Sequence, residues 1–136
     1  MKSRVSIIGS GNVALAAAYH FQRTGTDVCL YGSPGFDEAI SHIENANGIR
    51  ALDTIDGHPL EIGGFQPIAA TTRDIAEAVS YSDLLILPVP AFAQETLFRS
   101  MLPHLRRGQT VLLLPGNYGS LVLHRMLQDA GGPDIT

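Results

Sequence analysis

Near its start the chain runs from an apolar stretch straight into glycines. VSIIGSGNVA, Val5 to Ala14, contains Gly9-Ser10-Gly11-Asn12-Val13-Ala14, a G-x-G-x-x-A pattern. Each small residue in such a pattern answers a separate steric demand. Gly9 permits a tight turn out of a strand. Gly11 carries no side chain, so a pyrophosphate can come close to the backbone. Ala14 lets a helix lie against the strand. A helix opening near Asn12 aims its free N–H groups and the positive end of its dipole at the phosphates. Gly9, Ser10, Gly11, Asn12 and Val13 are therefore the first candidate cofactor contacts.

The flanking residues supply the context that the pattern needs. Arg4 to Ile8 reads as a buried strand. Val13, Ala14, Ala17, Ala18 and Phe21 recur at helical spacing and predict a buried helix face. Gly25 follows as a C-cap, and Asp27 to Tyr31 reads as a second strand. Strand, glycine turn, helix and strand within about 30 residues make a βαβ unit.

Further along, Gly32-Ser33-Pro34-Gly35 is a loop. Phe36, Ala39, Ile40 and Ile43 predict a short helix over Asp37 to Glu44. Short strands are expected at Ile49 to Leu52 and Leu60 to Ile62, around a turn at Asp56-Gly57-His58-Pro59, with a second turn at Gly63-Gly64. Pro67 to Thr71 returns as a strand. Asp74-Ile75-Ala76-Glu77 has the form of a capping box and opens a helix to about Tyr81. Asp83 precedes LLILPVP, a buried strand ending at Pro88. Leu97, Phe98, Met101, Leu102 and Leu105 form one helix face. Thr110 to Leu114 is another strand, Pro115 to Gly119 a loop, and Val122, Leu123, Met126, Leu127 and Ala130 a last helix face. Apolar strands alternating with amphipathic helices predict an α/β, Rossmann-type, doubly wound and mainly parallel sheet with helices on both faces. Residues 1–136 are expected to form one NAD(P)-binding domain.

Composition narrows the function classes. The 136 residues are 45% hydrophobic and 16% charged, with a net charge of −4. No basic run exceeds Arg106-Arg107, which argues against a nucleic-acid partner. A single cysteine, Cys29, excludes an internal disulfide and fits a reducing, cytoplasmic setting; in the second strand it reads as a buried structural thiol. Lys2 and Arg4 ahead of an apolar stretch imitate a signal peptide, but Gly9 to Asn12 interrupts the apolar region. Leu84 to Ala93 holds two prolines and is too short to span a bilayer, so no membrane partner is expected.

In a doubly wound sheet, ligands bind beyond the carboxyl ends of the strands. Four loops meet that rule: Gly9 to Val13, Tyr31-Gly32-Ser33, Pro88-Val89-Pro90 on to Phe92, and Pro115 to Tyr118. The prolines make a stiff turn with few donors, suited either to packing against ribose or nicotinamide or simply to ending a strand. Asn117 offers an amide to nicotinamide or substrate, or closes its own Asx turn. Phe92 is either a pocket wall or helix core. Tyr31 can stack on adenine. The second strand ends Leu30-Tyr31-Gly32-Ser33 without the carboxylate that holds an NAD ribose. Ser33 can donate to a 2′-phosphate, which tilts the expectation to NADP, with NAD as the alternative. Asp37 and Glu38 read as first-turn helix charges, Arg73 and Asp74 as structural residues at a helix start. No metal site is expected. None of the five histidines has a sequence-near carboxylate that singles it out, and no catalytic residue is assigned.

Three segments together, GSGNVALAAA (Gly9 to Ala18), DLLILPVPAFAQETL (Asp83 to Leu97) and LPHLRRGQTVLLLPGNYGSL (Leu102 to Leu121), resemble the N-terminal domain of the octopine/nopaline (opine) dehydrogenase family. SPGFDEAISHIENANGI (Ser33 to Ile49) and ATTRDIAEAV (Ala70 to Val79) fit as well. The resemblance implies an oxidoreductase of the CH–NH class. It would use NAD(P)H to condense the amino group of an amino acid reductively with a 2-oxo acid. It also implies an all-helical C-terminal domain carrying the proton-handling His and Asp, which these 136 residues do not include. The chain alone is then expected to bind cofactor without turnover, and the apolar patch uncovered by the missing domain offers a homodimer contact. Two readings stand beside this one. The first is a related 2-oxoacid, 3-hydroxyacid or glycerol-3-phosphate-type dehydrogenase. The second is a non-enzymatic nucleotide-sensing Rossmann module.

Overall fold

Strand β1 (Arg4–Ile8) lies at the middle of a five-stranded sheet. The structure, a computed structural model, describes residues 2–51, 54–55, 58–59 and 64–136. After β1 come α1 (Asn12–Arg23), β2 (Asp27–Tyr31), α2 (Glu38–Ala46), β3 (Ile49–Ala51), β4 (Thr54–Ile55), β5 (His58–Pro59), β6 (Gly64–Gln66) and β7 (Ala70–Thr72). Then follow α3 (Ile75–Tyr81), β8 (Leu84–Leu87), α4 (Ala91–Met101), a 3-10 turn at Leu102–His104, β9 (Thr110–Leu113) and α5 (Gly119–Ala130). The sheet order is β7-β2-β1-β8-β9, and every neighbouring pair is parallel. The chain winds outward from β1 to β7, crosses back through α3 and winds the other way from β8. The order therefore reverses between β1 and β8.

Two apolar layers show the double winding. Val5, Ile7, Val28, Leu30 and Ile86 pack with Ala14 and Ala18 of α1 and with Ile40 and Ile43 of α2. The alternate strand residues Ile8, Tyr31, Leu85 and Leu87 face Ala78, Val79, Phe98, Met101, Leu123 and Leu127 from α3, α4 and α5. The two-residue period of a strand thus splits the apolar runs between both faces. Two buried polar residues bind the second layer. The Ser6 hydroxyl donates to the Ala78 carbonyl (2.6 Å). Gln109, fully buried, donates to the carbonyls of Val79 (2.8 Å) and Ser82 (3.0 Å) and accepts from the Arg106 amide (2.7 Å). Neither role is visible in the sequence, where both residues read as ordinary polar positions.

The middle of the chain departs most from expectation. β3 pairs antiparallel with β6 in a small sheet of its own. β4 pairs antiparallel with β5. The expected strand at Leu60 to Ile62 lies outside the described residues, as do Gly57 and Gly63 of the expected turns. The strand expected from Pro67 begins only at Ala70. Asp74 caps α3 by accepting from the Ala76 amide (2.8 Å), but Glu77 takes the Thr72 hydroxyl instead of closing the box. Val13 is exposed rather than buried, as are Phe36 and Val122; Val13 and Phe36 stand at the first positions of their expected faces, where a helix end has fewer neighbours to pack against. At the other edge of the sheet, residues 134–136 run along β9. The Gly108 amide donates to Asp134, Thr136 to Gln109, and Val111 to Thr136.

Replacing Gln109 with Leu leaves two carbonyls and an amide without partners, at about 1–3 kcal/mol for each group not rescued by water. Urea denaturation is expected to show Gln109→Leu less stable by about 2–4 kcal/mol, despite its near-equal volume and greater hydrophobicity.

Candidate functional site

The carboxyl ends of β1, β2 and β8 open into one cleft of about 790 Å³. Its floor is the glycine turn. Gly9 has φ +138°, and a Cβ there would stand 2.8 Å from the Val89 side chain, so turn and packing both require glycine. The Gly9 amide donates to the Tyr31 carbonyl (3.0 Å), joining the turn to the end of β2. Gly11 is different: a Cβ there would meet open space. It caps α1 without a side-chain hydrogen bond, and α1 has no acidic residue in its first turn. The positive end of α1 is left uncompensated at the mouth of the cleft, which is the arrangement that attracts an anionic group. Ala14 is fully buried against the sheet.

The second wall is the loop after β2. Ser33, Pro34, Gly35 and Phe36 line the cleft, followed by Glu38 and Ala39 of α2. The Ser10 hydroxyl donates to the Phe36 carbonyl (2.6 Å) and ties this wall to the glycine turn. A Cβ on Gly32 would stand 2.6 Å from Ile40 and 3.1 Å from Asp37. Position 32 therefore has no room for the strand-end carboxylate sought in the sequence. Behind the wall, Arg73 donates to Asp37 (2.7 Å), Ser41 (2.9 Å) and both oxygens of Glu44 (3.0–3.2 Å). These hydrogen bonds hold the Asp37 and Glu44 carboxyls below their ordinary values and raise the Arg73 guanidinium. Arg73 is thus structural, as read from the sequence. Asp37 is its partner rather than a side-chain cap of α2.

The third wall is Pro88-Val89-Pro90 with Phe92, Ala93, Thr96, Leu97 and Ser100 of α4. Phe92 is a wall: it is 87% exposed and lies outside the core. Of the twelve candidate contacts, Gly9, Ser10, Gly11, Tyr31, Ser33, Pro88, Val89 and Pro90 line the cleft. Asn12, Val13, Gly32 and Asn117 do not. Tyr31 is only 5% exposed and packs with the α3–α5 layer, which leaves its ring no free face for stacking. Phe36, 80% exposed, is the open aromatic surface on that wall. Asn117 and Tyr118 both adopt left-handed backbone (φ +41° and +60°) ahead of α5. Gln94, buried on α4, donates to the Pro115 carbonyl (2.7 Å) and fixes that loop from below. Sequence reasoning missed Phe36, Glu38, Thr96 and Ser100 as cleft residues because helical spacing assigns them to a helix without saying which side meets a ligand. Cys29 is buried; burial first, and the Glu77 charge second, push its thiol up to about 11, so it stays protonated. His20, His42, His104 and His124 are exposed, and none lines the cleft.

Comparison with known proteins now joins this geometry. Residues 4–112 match the family described as NADP oxidoreductase, coenzyme F420-dependent. The chain belongs to that family. It is an NAD(P)-binding domain resembling those of opine dehydrogenases. It is 26% identical over 132 residues to an opine dehydrogenase of Arthrobacter sp., covering 96% of this chain and 34% of that protein. It is 27% identical over 135 residues to a vitopine synthase of Allorhizobium ampelinum, covering 96% and 35%. A solved octopine dehydrogenase, with NADH and L-arginine, superposes with a TM-score of 0.73 at 25% identity over 98% of this chain and 34% of that one. The chain spans about a third of the length of the relatives it matches. No helix among the described residues is long and apolar enough to cross a membrane.

The two glycines should separate in stability measurements. Gly9→Ala meets both the backbone strain and Val89, at about 1–3 kcal/mol. Gly11→Ala meets neither and gives up only a glycine N-cap, so its loss is expected to be the smaller, on the order of 0.5–1 kcal/mol. Acid titration tests the Arg73 cluster. Depressed carboxyls stabilise fully above their ordinary values of 3.8 and 4.5, and that stabilisation is lost as pH falls through the lowered values. The melting-temperature gap between wild type and Arg73→Met should therefore close on acidification, with no closure expected between pH 6 and 8.

Proposed function

We propose that this chain is the cofactor-holding part of an NAD(P)H-dependent oxidoreductase that reduces the C=N bond of an imine. The imine would form between the amino group of an amino acid and a 2-oxo acid, as in opine synthesis. The observation that carries this reading is the cleft at the β1/β8 reversal, floored by Gly9 and opened by Gly11 at the uncompensated end of α1. A reversal of strand order at the carboxyl edge is where dinucleotides bind in such sheets.

The residues fit the group. Gly11, the N-cap of α1, lines the cleft, and the free amides of the first turn beyond it would hold the pyrophosphate. The missing side chain at Gly11 admits it. Phe36 would offer its exposed ring to the adenosine, and Pro88-Val89-Pro90 with Phe92 would give an apolar seat to the nicotinamide. The chemistry a bound nicotinamide would supply is a hydride for the imine carbon. The chain's own task is to bind, orient and shield one face of the ring. The described cleft holds two ionisable side chains, the buried Tyr31 and Glu38 on the α2 wall, and neither is assigned to move a proton. Proton transfer and the amino-acid site are then the work of a second, separately folded domain, and residues 1–136 form one domain without turnover of their own. The length of the relatives supports that division.

Calorimetric titration with NADH and NADPH, alongside a turnover assay with pyruvate and amino acids, tests the proposal. Binding without turnover is expected. Gly11→Val, which has open space around it, should fold normally and weaken binding at least about tenfold, a loss of roughly 1.4 kcal/mol. No binding of either dinucleotide at millimolar concentration, or unchanged binding by Gly11→Val, would overturn it.

A further inference from the structure

We infer that Glu38 selects the cofactor in this cleft, accepting from the adenosine ribose hydroxyls and turning away a 2′-phosphate, so that NADH is preferred to NADPH. The inference rests on the dinucleotide reading of the cleft and adds the choice between the two forms.

The sequence points the other way, because β2 ends in Gly32-Ser33 without an acid. The fold brings an acid to the same wall from another element. Gly32 is pressed against Ile40 and Asp37, so the carboxylate cannot stand at the strand end. It arrives six residues later, from the first turn of α2, on the same wall. Glu38 is the one charged residue among those lining the cleft; no Lys or Arg is among them. Its side chain is 91% exposed, and among the described residues its ion-pair partner is His42, at 3.5 Å along the helix. It is free to meet a ligand.

A 2′-phosphate needs a cation, and the Arg73 side chain paired with Asp37 of this wall is occupied. Arg73 sits behind the same wall with all three nitrogens of its guanidinium donating, to Asp37, Ser41 and Glu44. Releasing it means breaking a planar two-carboxylate clasp. Asp37 and Glu44 outnumber Arg73, and Glu38 adds a further negative charge, so the wall repels a dianion. The pyrophosphate end is unlike this, since α1 offers free amides and no acid. A ribose diol donates hydrogen bonds and suits an acceptor-only carboxylate.

Binding constants for NADH and NADPH, measured for wild type, Glu38→Gln and Glu38→Lys, test the inference. All three should fold alike, since Glu38 is exposed. Wild type is expected to favour NADH by about tenfold or more. Glu38→Gln should weaken NADH by about five- to tenfold while leaving NADPH unchanged or tighter. Glu38→Lys should reverse the order. Wild-type preference for NADPH, or a Glu38→Gln ratio equal to wild type, overturns the inference while the cleft reading stands. If neither cofactor binds wild type, both fall together.

Discussion

The close contact between the glycine turn and the β8 turn is the constraint on which the rest of the molecule depends. β1 hydrogen-bonds to β2 on one side and β8 on the other, and the chain must leave β1 between them. A Cβ on Gly9 would run into Val89, so only a glycine lets the two strand ends converge. Because they converge, α1 starts directly over the sheet edge, with Ala14 against the strands. The cleft is the space that remains when three parallel strands end together and their helices diverge to opposite faces.

Polar groups then fix what the glycine allows. Ser10 holds the β2 loop, Arg73 clasps α2 at its start through Asp37 and near its end through Glu44, and Gln94 holds the loop after β9. Each joins residues that are far apart in sequence. The exposed ion pairs among them contribute little to global stability individually. Their effect is on geometry: they set the walls of the cleft relative to its floor before any ligand arrives, and a preformed site spends less of its binding free energy on ordering.

The fold was legible in the sequence wherever hydrophobic periodicity ran long. The strands from Arg4, Asp27, Leu84 and Thr110 and their helices follow from apolar runs and glycine punctuation. The excursion between Ile49 and Thr72 was less legible, since two- and three-residue strands carry too few side chains to show a period. The site was legible where a backbone demand singled out a residue type. Gly9 and Gly11 are glycines for reasons a sequence can express. Phe36 and Glu38 were assigned to α2, and only the fold shows that its first turn is also a wall. Tyr31 lines the cleft as expected of a strand end, but its ring packs into the α3–α5 layer, which a sequence cannot express because a strand-end aromatic faces core or ligand according to register. Asn117 follows the strand-end rule, but β9 is the fifth strand, one step beyond the reversal, and its loop ends outside the cleft.

The central claim is that an anionic dinucleotide sits over the start of α1, between the loops after β2 and β8. Backbone amide NMR during an NADH titration reads this directly. The account predicts saturable shifts at Gly9 to Ala14, at Ser33 to Phe36 and at Val89, while amides in the middle of α5 stay still. Shifts confined to α5 and the loop at Gly116 to Tyr118, with the glycine turn unmoved, would contradict it.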